Sequence, residues 1–135
     1  MAELYNELSQ SPAHGAVVTF TGLVREMASG ELTHLTLEHY PGMTEAALQD
    51  IAEQAMSRWP LGEVIVIHRI GRLALNENIV FVGVASGHRK QAFEAAEFLM
   101  DYLKTRAPFW KKEHTHEGEE WVAAKQSDKT AAQRW

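Results

Sequence analysis

Hydrophobic and polar residues follow two different periods along the chain. Four segments are rich in β-branched and aromatic residues and are predicted as strands: residues 15–24, 33–40, 64–70 and 79–85. Two longer segments, from about residue 44 to 59 and from about 88 to 107, carry apolar residues every three or four positions and are predicted as the two main helices. A short helix at 3–9, short strands at 109–116 and 120–124, and a polar tail complete the prediction.

The strands follow one another in groups that are separated by the two main helices. This order indicates an α+β fold in which the two main helices pack on a mostly antiparallel sheet. Segment 33–40 alternates and is expected to pair antiparallel with 15–24 across a turn or loop at 27–31. Segment 64–70 is apolar on both faces, as a central strand would be. No repeat or linker divides the chain, so one domain over residues 1–135 is predicted.

The ends and faces of the two main helices can also be predicted. Thr44 follows a Pro-Gly break and is expected to cap the first main helix. The second ends before Pro108, and its inward face is predicted to consist of Phe93, Ala96, Met100 and Leu103.

Composition narrows the functional classes. The chain has 135 residues, of which 45% are hydrophobic and 23% charged, typical of a globular protein. No apolar stretch approaches the ~18 residues of a membrane span, and the acidic N-terminus lacks the order of a secretory signal, so a cytoplasmic location is expected. The absence of cysteine excludes disulfides, thiolate nucleophiles and cysteine-bound zinc. The net charge of -5 argues against general nucleic-acid binding.

Candidate chemistry is concentrated in basic residues where predicted elements meet. His88 and Arg89 lie at a strand-to-helix junction, where free backbone N–H groups and the helix dipole favour an anion. Lys104 and Lys111 belong to a stretch at 104–112 with four positive charges and no acid, although lysines in the last turn of a helix are also common structural residues. Arg25 follows the first strand and by itself is weak evidence.

The histidines do not indicate a metal site. His114 and His116 would share one face of a strand, but no third ligand is evident, so no metal or cofactor is predicted. His39 and His68 lie in apolar strand contexts, where a hydrogen-bonded structural histidine is favoured. Walker, GxGxxG and HExxH motifs are absent.

Five blocks of this sequence, in order, resemble the catalytic (large) subunit family of molybdopterin synthase. They are residues 15–25 (GAVVTFTGLVR), 37–44 (LEHYPGMT), 66–71 (VIHRIG), 82–89 (VGVASGHR) and 101–113 (DYLKTRAPFWKKE). The similarity extends over residues 15–135. It implies an α/β hammerhead-like fold, and the additional N-terminal strand of the family is expected to be missing here.

The resemblance also implies the reaction and the site. Sulfur from the C-terminal thiocarboxylate of a small ubiquitin-like subunit, which ends in Gly-Gly, is transferred to cyclic pyranopterin monophosphate, and the dithiolene of molybdopterin forms. The family's basic residues correspond to Arg25, His88, Arg89, Lys104 and Lys111, and more weakly to Lys125. By resemblance, Lys104 and Lys111 are catalytic, and the substrate is bound by Arg25, His88, Arg89, Lys111 and Lys125.

These assignments require chemistry that basic side chains supply. Arginine and histidine would hold phosphate and pterin, while the lysines would polarise a carbonyl or transfer protons, or one lysine would attack the thiocarboxylate transiently. A cluster of cations lowers a lysine's pKa toward the working range. The individual roles of Lys104 and Lys111 stay open.

The resemblance and helix geometry together predict a homodimer. An unbroken helix places His88 and Lys104 about 24 Å apart, too far for one small ligand to contact both. His88 and Arg89 are therefore expected to come from a second copy, in a two-plus-two assembly with the small subunit. Two alternatives are a non-catalytic binding module for a phosphorylated ligand, and a structural protein that presents a sheet edge to a partner.

Overall fold

The computed structural model describes residues 2–26, 30, 32–122 and 126–135. In these residues the helices are α1 (Ala2–Leu8), α2 (Met43–Arg58), α3 (Arg89–Arg106) and α4 (Gln126–Gln133). The strands are β1 (Ala16–Leu23), β2 (Leu32–His39), β3 (Leu61–His68), β4 (Gly71–Ala74), β5 (Asn78–Ser86), β6 (Phe109–Thr115) and β7 (Gly118–Val122). The predicted α+β class is confirmed, with the difference that the strands form two sheets.

The first sheet has the order β1-β5-β3 and is antiparallel throughout. Strand β5 lies at its centre, and Val82 and Val84 are completely buried beneath α3 and α2. On the opposite face α1 covers the sheet through Leu8. Gly83 permits this close approach, since a Cβ atom at that position would lie 2.5 Å from Cδ1 of Leu8.

The second sheet has the order β4-β2-β6-β7 and is also antiparallel. Strand β2 alternates as predicted, and its inner face buries Leu35 and Leu37 against Leu73 of β4. Val24, just beyond β1, belongs to the same cluster and thereby connects the two sheets. No helix in the described residues is long and apolar enough to cross a membrane.

The predicted strand pairing is wrong in two places. Strand β2 pairs with β4 and β6, whereas β1 pairs with β5. Strand β3 lies at the edge of its sheet, and the central position is taken by β5. The reason is that alternation specifies which face of a strand is buried but does not specify its neighbour. The predicted loop at 27–31 falls, apart from Gly30, outside the described residues.

Two helix predictions also need correction. Phe93 is 59% exposed on α3, whose buried face is centred on Phe98 and Leu99. Thr44 does not cap α2, because Gly42 occupies the N-cap position. The Thr44 hydroxyl instead accepts the N–H of Tyr40 at 3.0 Å and donates to the carbonyl of Pro108 at 3.2 Å.

The predicted polar tail contains helix α4. The segment is not predicted as a helix because most of its residues are polar. Its short apolar side includes Ala132, which is buried in the main core. Trp135 follows this helix and packs edge-on against Phe98 and Trp59, with ring centroids 5.8 and 5.6 Å away.

Candidate active site

A pocket of about 570 Å³ lies between the two sheets at the C-terminal end of α3. Its apolar wall comes from β1, β2, β5 and α3, through Phe20, Leu23, Leu35, Leu37, Ile79, Val80, Met100 and Leu103. Three of the basic residues selected from the sequence line it, namely Arg25, Lys104 and Lys111. These residues are far apart along the chain, so only the fold brings them together.

Arg25 reaches the pocket because the end of β1 is anchored. The backbone N–H of Val24 donates to the carbonyl of Glu77 at 2.9 Å, and the Val24 carbonyl accepts the N–H of Asn76 at 2.8 Å. Val24 itself is fully buried. The strand therefore ends at a defined position, and the exposed Arg25 that follows lines the pocket.

Lys104 and Lys111 enter the pocket from α3 and β6. Lys104 is exposed in the last turn of the helix, directly after the buried Leu103. At Ala107 and Pro108 the chain leaves the helix in an extended conformation and continues into β6. Lys111 pairs with Leu37 of β2, whose side chain is buried, and therefore belongs to the inner face of the second sheet.

His68 is a pocket residue that sequence reasoning assigned only a structural role. Its ring stacks on Phe109, with centroids 3.7 Å apart and planes at 16°, and its Nδ1 lies 2.8 Å from the carbonyl oxygen of Arg69. The pKa of His68 is lowered from its ordinary value, first by burial and then by the charges of Lys111 and Lys104, although the hydrogen bond to Arg69 opposes this. The sequence around His68 is an apolar strand followed by Arg69, and nothing in it indicates that this histidine lines a pocket.

Two acidic residues, Glu26 and Glu113, also line the pocket and were not selected from the sequence. Glu26 accepts the backbone N–H of Leu32 at 3.0 Å and so contributes to the local structure. The pocket therefore has mixed charge, with basic residues at Arg25, Lys104 and Lys111.

His88 and Arg89 are not part of this pocket. His88 is the N-cap of α3 and Arg89 its first residue, and both are exposed. The helix runs without interruption to Arg106, so a rise of 1.5 Å per residue places Lys104 about 22 Å from Arg89 along the axis. Lys125 lies outside the described residues.

The histidines at the end of β6 do not come together with a third ligand. His114 stacks on His34 with ring centroids 4.0 Å apart, and its Nδ1 lies 3.1 Å from the Glu119 carboxylate. His116 lies just beyond the last residue of β6. Within the described ranges, no group of three histidine, aspartate or glutamate side chains could hold a metal ion.

The fold and the pocket define an α+β protein in which three basic residues line one pocket at the end of a helix. The family model for "MoaE protein" matches residues 1–106. The molybdopterin synthase catalytic subunit of Escherichia coli K12 is 60% identical over 136 residues, which cover 100% of this chain and 91% of that protein. The chain belongs to the MoaE family.

Solved structures agree with the fold. The crystal structure of molybdopterin synthase from Staphylococcus aureus has a TM-score of 0.84 and 36% identity, covering 91% of this chain and 90% of that chain. A MoaE protein from Burkholderia ambifaria has a TM-score of 0.82 and 48% identity, covering 99% and 88%.

Proposed function

We propose that this chain is the catalytic subunit of a molybdopterin synthase. It transfers sulfur from the C-terminal thiocarboxylate of a small ubiquitin-like subunit to cyclic pyranopterin monophosphate, and the dithiolene of molybdopterin forms. The observation that carries this proposal is the convergence of Arg25, Lys104 and Lys111 in one pocket. The relative from Escherichia coli, 60% identical, is named as the catalytic subunit of this enzyme.

The pocket suits two anionic reactants. Its volume of about 570 Å³ falls within the ~300–1,000 Å³ typical of small-molecule sites. A cyclic phosphate and a thiocarboxylate repel one another unless cations neutralise them. The repulsion energy between the two anions is larger where water is excluded. Arg25 would bind the phosphate with two parallel hydrogen bonds. Lys104 and Lys111 would polarise the acyl carbonyl and transfer protons, with Lys111 also contacting the substrate.

The small subunit would deliver its sulfur through an extended, glycine-ended tail. A recessed site can be reached only by a thin segment, and glycine adds no side chain to the width of that segment. The assembly proposed here contains two copies of each subunit. A cytoplasmic location remains a prediction from the sequence.

His88 and Arg89 would complete the site from a second copy of this chain. Because α3 is unbroken, Arg89 and Lys104 of one chain cannot contact the same pterin phosphate. Two α3 helices that run antiparallel about a two-fold axis would bring Arg89 of one chain beside Lys104 of the other. The site would then be incomplete in the monomer.

Two further residues on α3 support this pairing. Phe93 is 59% exposed, and Met100 lines the pocket. The pairs Arg89/Lys104 and Phe93/Met100 share one midpoint, between residues 96 and 97, and all four residues fall within about 60° of the helix surface. A two-fold axis at that midpoint would place Phe93 against Met100 of the second copy, so one arrangement buries an exposed aromatic ring and also completes the site.

A product assay tests the proposal. The chain is incubated with cyclic pyranopterin monophosphate and thiocarboxylated small subunit, and the pterin is analysed by mass spectrometry. We expect a dithiolene product, and none when the small subunit lacks its last two glycines. A non-catalytic binding module would bind the pterin without product and would tolerate Lys104→Arg. A purely structural protein would show no anion affinity.

A further inference from the structure

The pocket contains a histidine whose orientation is fixed by two contacts. His68 is the last residue of β3, and one face of its ring is covered by Phe109 at a centroid distance of 3.7 Å. Its Nδ1 lies 2.8 Å from the carbonyl oxygen of Arg69. The carbonyl can only accept, so Nδ1 carries the hydrogen and donates it. In the neutral ring, Nε2 therefore has the free electron pair.

The surroundings keep this ring neutral and leave Nε2 available. Burial is the main reason that the pKa of His68 lies below its ordinary value of 6.5, and the charges of Lys111 and Lys104 act in the same direction. Nε2 has no hydrogen-bond partner among the described residues. The other charged groups that line the same pocket are Arg25, Glu26 and Glu113.

The proposed reaction requires a base, because a water molecule must lose a proton in one of its steps. When the thiocarboxylate sulfur bonds to a pterin carbon, the C–O bond at that carbon breaks and the oxygen leaves with the electron pair. The acyl group of the small subunit remains attached to the sulfur as a thioester. Release needs water: a new C–O bond forms at the acyl carbon, the C–S bond breaks, and the small subunit leaves as a carboxylate. One proton of the water must be accepted while the oxygen attacks.

We infer that His68 is the general base for this hydrolysis, an inference that rests on the proposed function. Nε2 takes the proton of the attacking water, while the ammonium groups of Lys104 and Lys111 stabilise the oxyanion on the acyl carbon. The imidazolium then returns that proton to the departing sulfur, and the second proton of the water passes from the new carboxylic acid to solvent. The products are therefore a pterin thiol and a carboxylate-ended small subunit. A neutral imidazole suits this role, since a protonated ring could not accept the proton.

Two variants separate this role from a structural one. His68→Asn keeps an amide N–H that can donate to the Arg69 carbonyl but has no basic nitrogen. His68→Gln places an amide near the Nε2 position and is also not basic. His116→Asn, an exposed histidine outside the pocket, is the matched control. Intact-protein mass spectrometry in a single turnover would measure how much small subunit is held in the thioester adduct and how much is released. Turnover by the wild type tests the proposed function itself.

We expect both His68 variants to form the thioester adduct between small subunit and pterin and to release it about 100-fold more slowly or worse. In the wild type, the rate of adduct release should fall as pH drops through the lowered pKa of His68, below pH 6.5, because the protonated ring cannot accept a proton. That acidic limb should be absent in the variants. Wild-type release rates in either variant, or lost activity with no adduct and an unchanged pH profile, would overturn the inference. A wild-type enzyme without product would instead refute the proposed function.

Discussion

Lys104 and Lys111 differ in backbone setting but line the same pocket, one from the last turn of a helix and one from the inner face of a sheet. Lys112, the next residue, belongs to the opposite face of β6, where its ammonium lies 3.2 Å from Glu119 and 4.6 Å from the centre of the Trp121 ring. Neighbouring lysines therefore belong to different surfaces, which provides a matched comparison.

We expect Lys104→Ala and Lys111→Ala each to lower sulfur transfer by about 100-fold or more, because each removes a charge that acts on developing negative charge. Neither lysine is fully buried, so the free energy of unfolding should change by less than about 1 kcal/mol. Single-turnover product formation and thermal unfolding are the measurements. Lys112→Ala should retain activity. Wild-type transfer in both pocket variants would contradict the assignment.

At the scale of elements, α4 packs against α3 and adds to the helical layer of the main core. Trp135 packs against Trp59 and Phe98, and its indole N–H donates to the Asp101 carboxylate at 2.6 Å. Arg134 adds ion pairs to Glu97 and Asp101 at 2.6 and 3.1 Å. These contacts connect α4 to α3, the helix that ends in the pocket.

We expect Trp135→Ala to lower the free energy of unfolding by about 2–3 kcal/mol, near the lower end for large aromatic residues because Trp135 is only partly buried. Chemical denaturation would measure the change. Trp121→Ala is the control, since that ring is 59% exposed on the outer face of the second sheet, and its loss should cost about 1 kcal/mol or less. Equal losses for the two tryptophans would show that α4 contributes no specific packing.

At the scale of the whole molecule, the proposed site extends across two chains. A mixing experiment tests this directly. Arg89→Ala and Lys104→Ala are each expected to be inactive as homodimers. In a mixed dimer, one of the two sites receives an intact Lys104 from one chain and an intact Arg89 from the other. Equal mixing with full exchange should restore about a quarter of wild-type activity. No recovery despite demonstrated exchange would mean that each site is built within one chain.

The dimer surface has its own test. Phe93→Asp would introduce charge where the proposed contact buries an aromatic ring, so we expect dissociation to monomers and loss of sulfur transfer. Met56→Asp on α2 is the control, because Met56 is also exposed, at 49%, but lies outside the proposed interface. Light scattering measures the oligomeric state. A stable Phe93→Asp dimer would exclude antiparallel contact of the α3 helices at this position.

The residue pattern by itself predicted most of the elements, and the family resemblance added candidate site residues. Period-two and helical spacing identified β1, β2, β5 and the two main helices, because each buries one face or is buried entirely. The family resemblance identified Arg25, Lys104 and Lys111, and the pocket contains all three. The helical rise alone indicated that Arg89 is too far from Lys104, and α3 is indeed unbroken.

Only the tertiary structure decided the strand neighbours, the position of His68 and the packing of the C-terminal segment, because these depend on contacts between distant segments. Strand neighbours differ from the prediction because β2 reaches β6 about 75 residues later, a pairing that alternation does not encode. His68 became a pocket residue only because Phe109 packs on its ring and β6 brings Lys111 nearby. The predicted polar tail contains α4 and ends in Trp135, whose ring packs against Trp59 and Phe98 from distant parts of the chain. Local spacing specifies which side of an element is apolar, whereas the partner of that side depends on the packing of the entire chain.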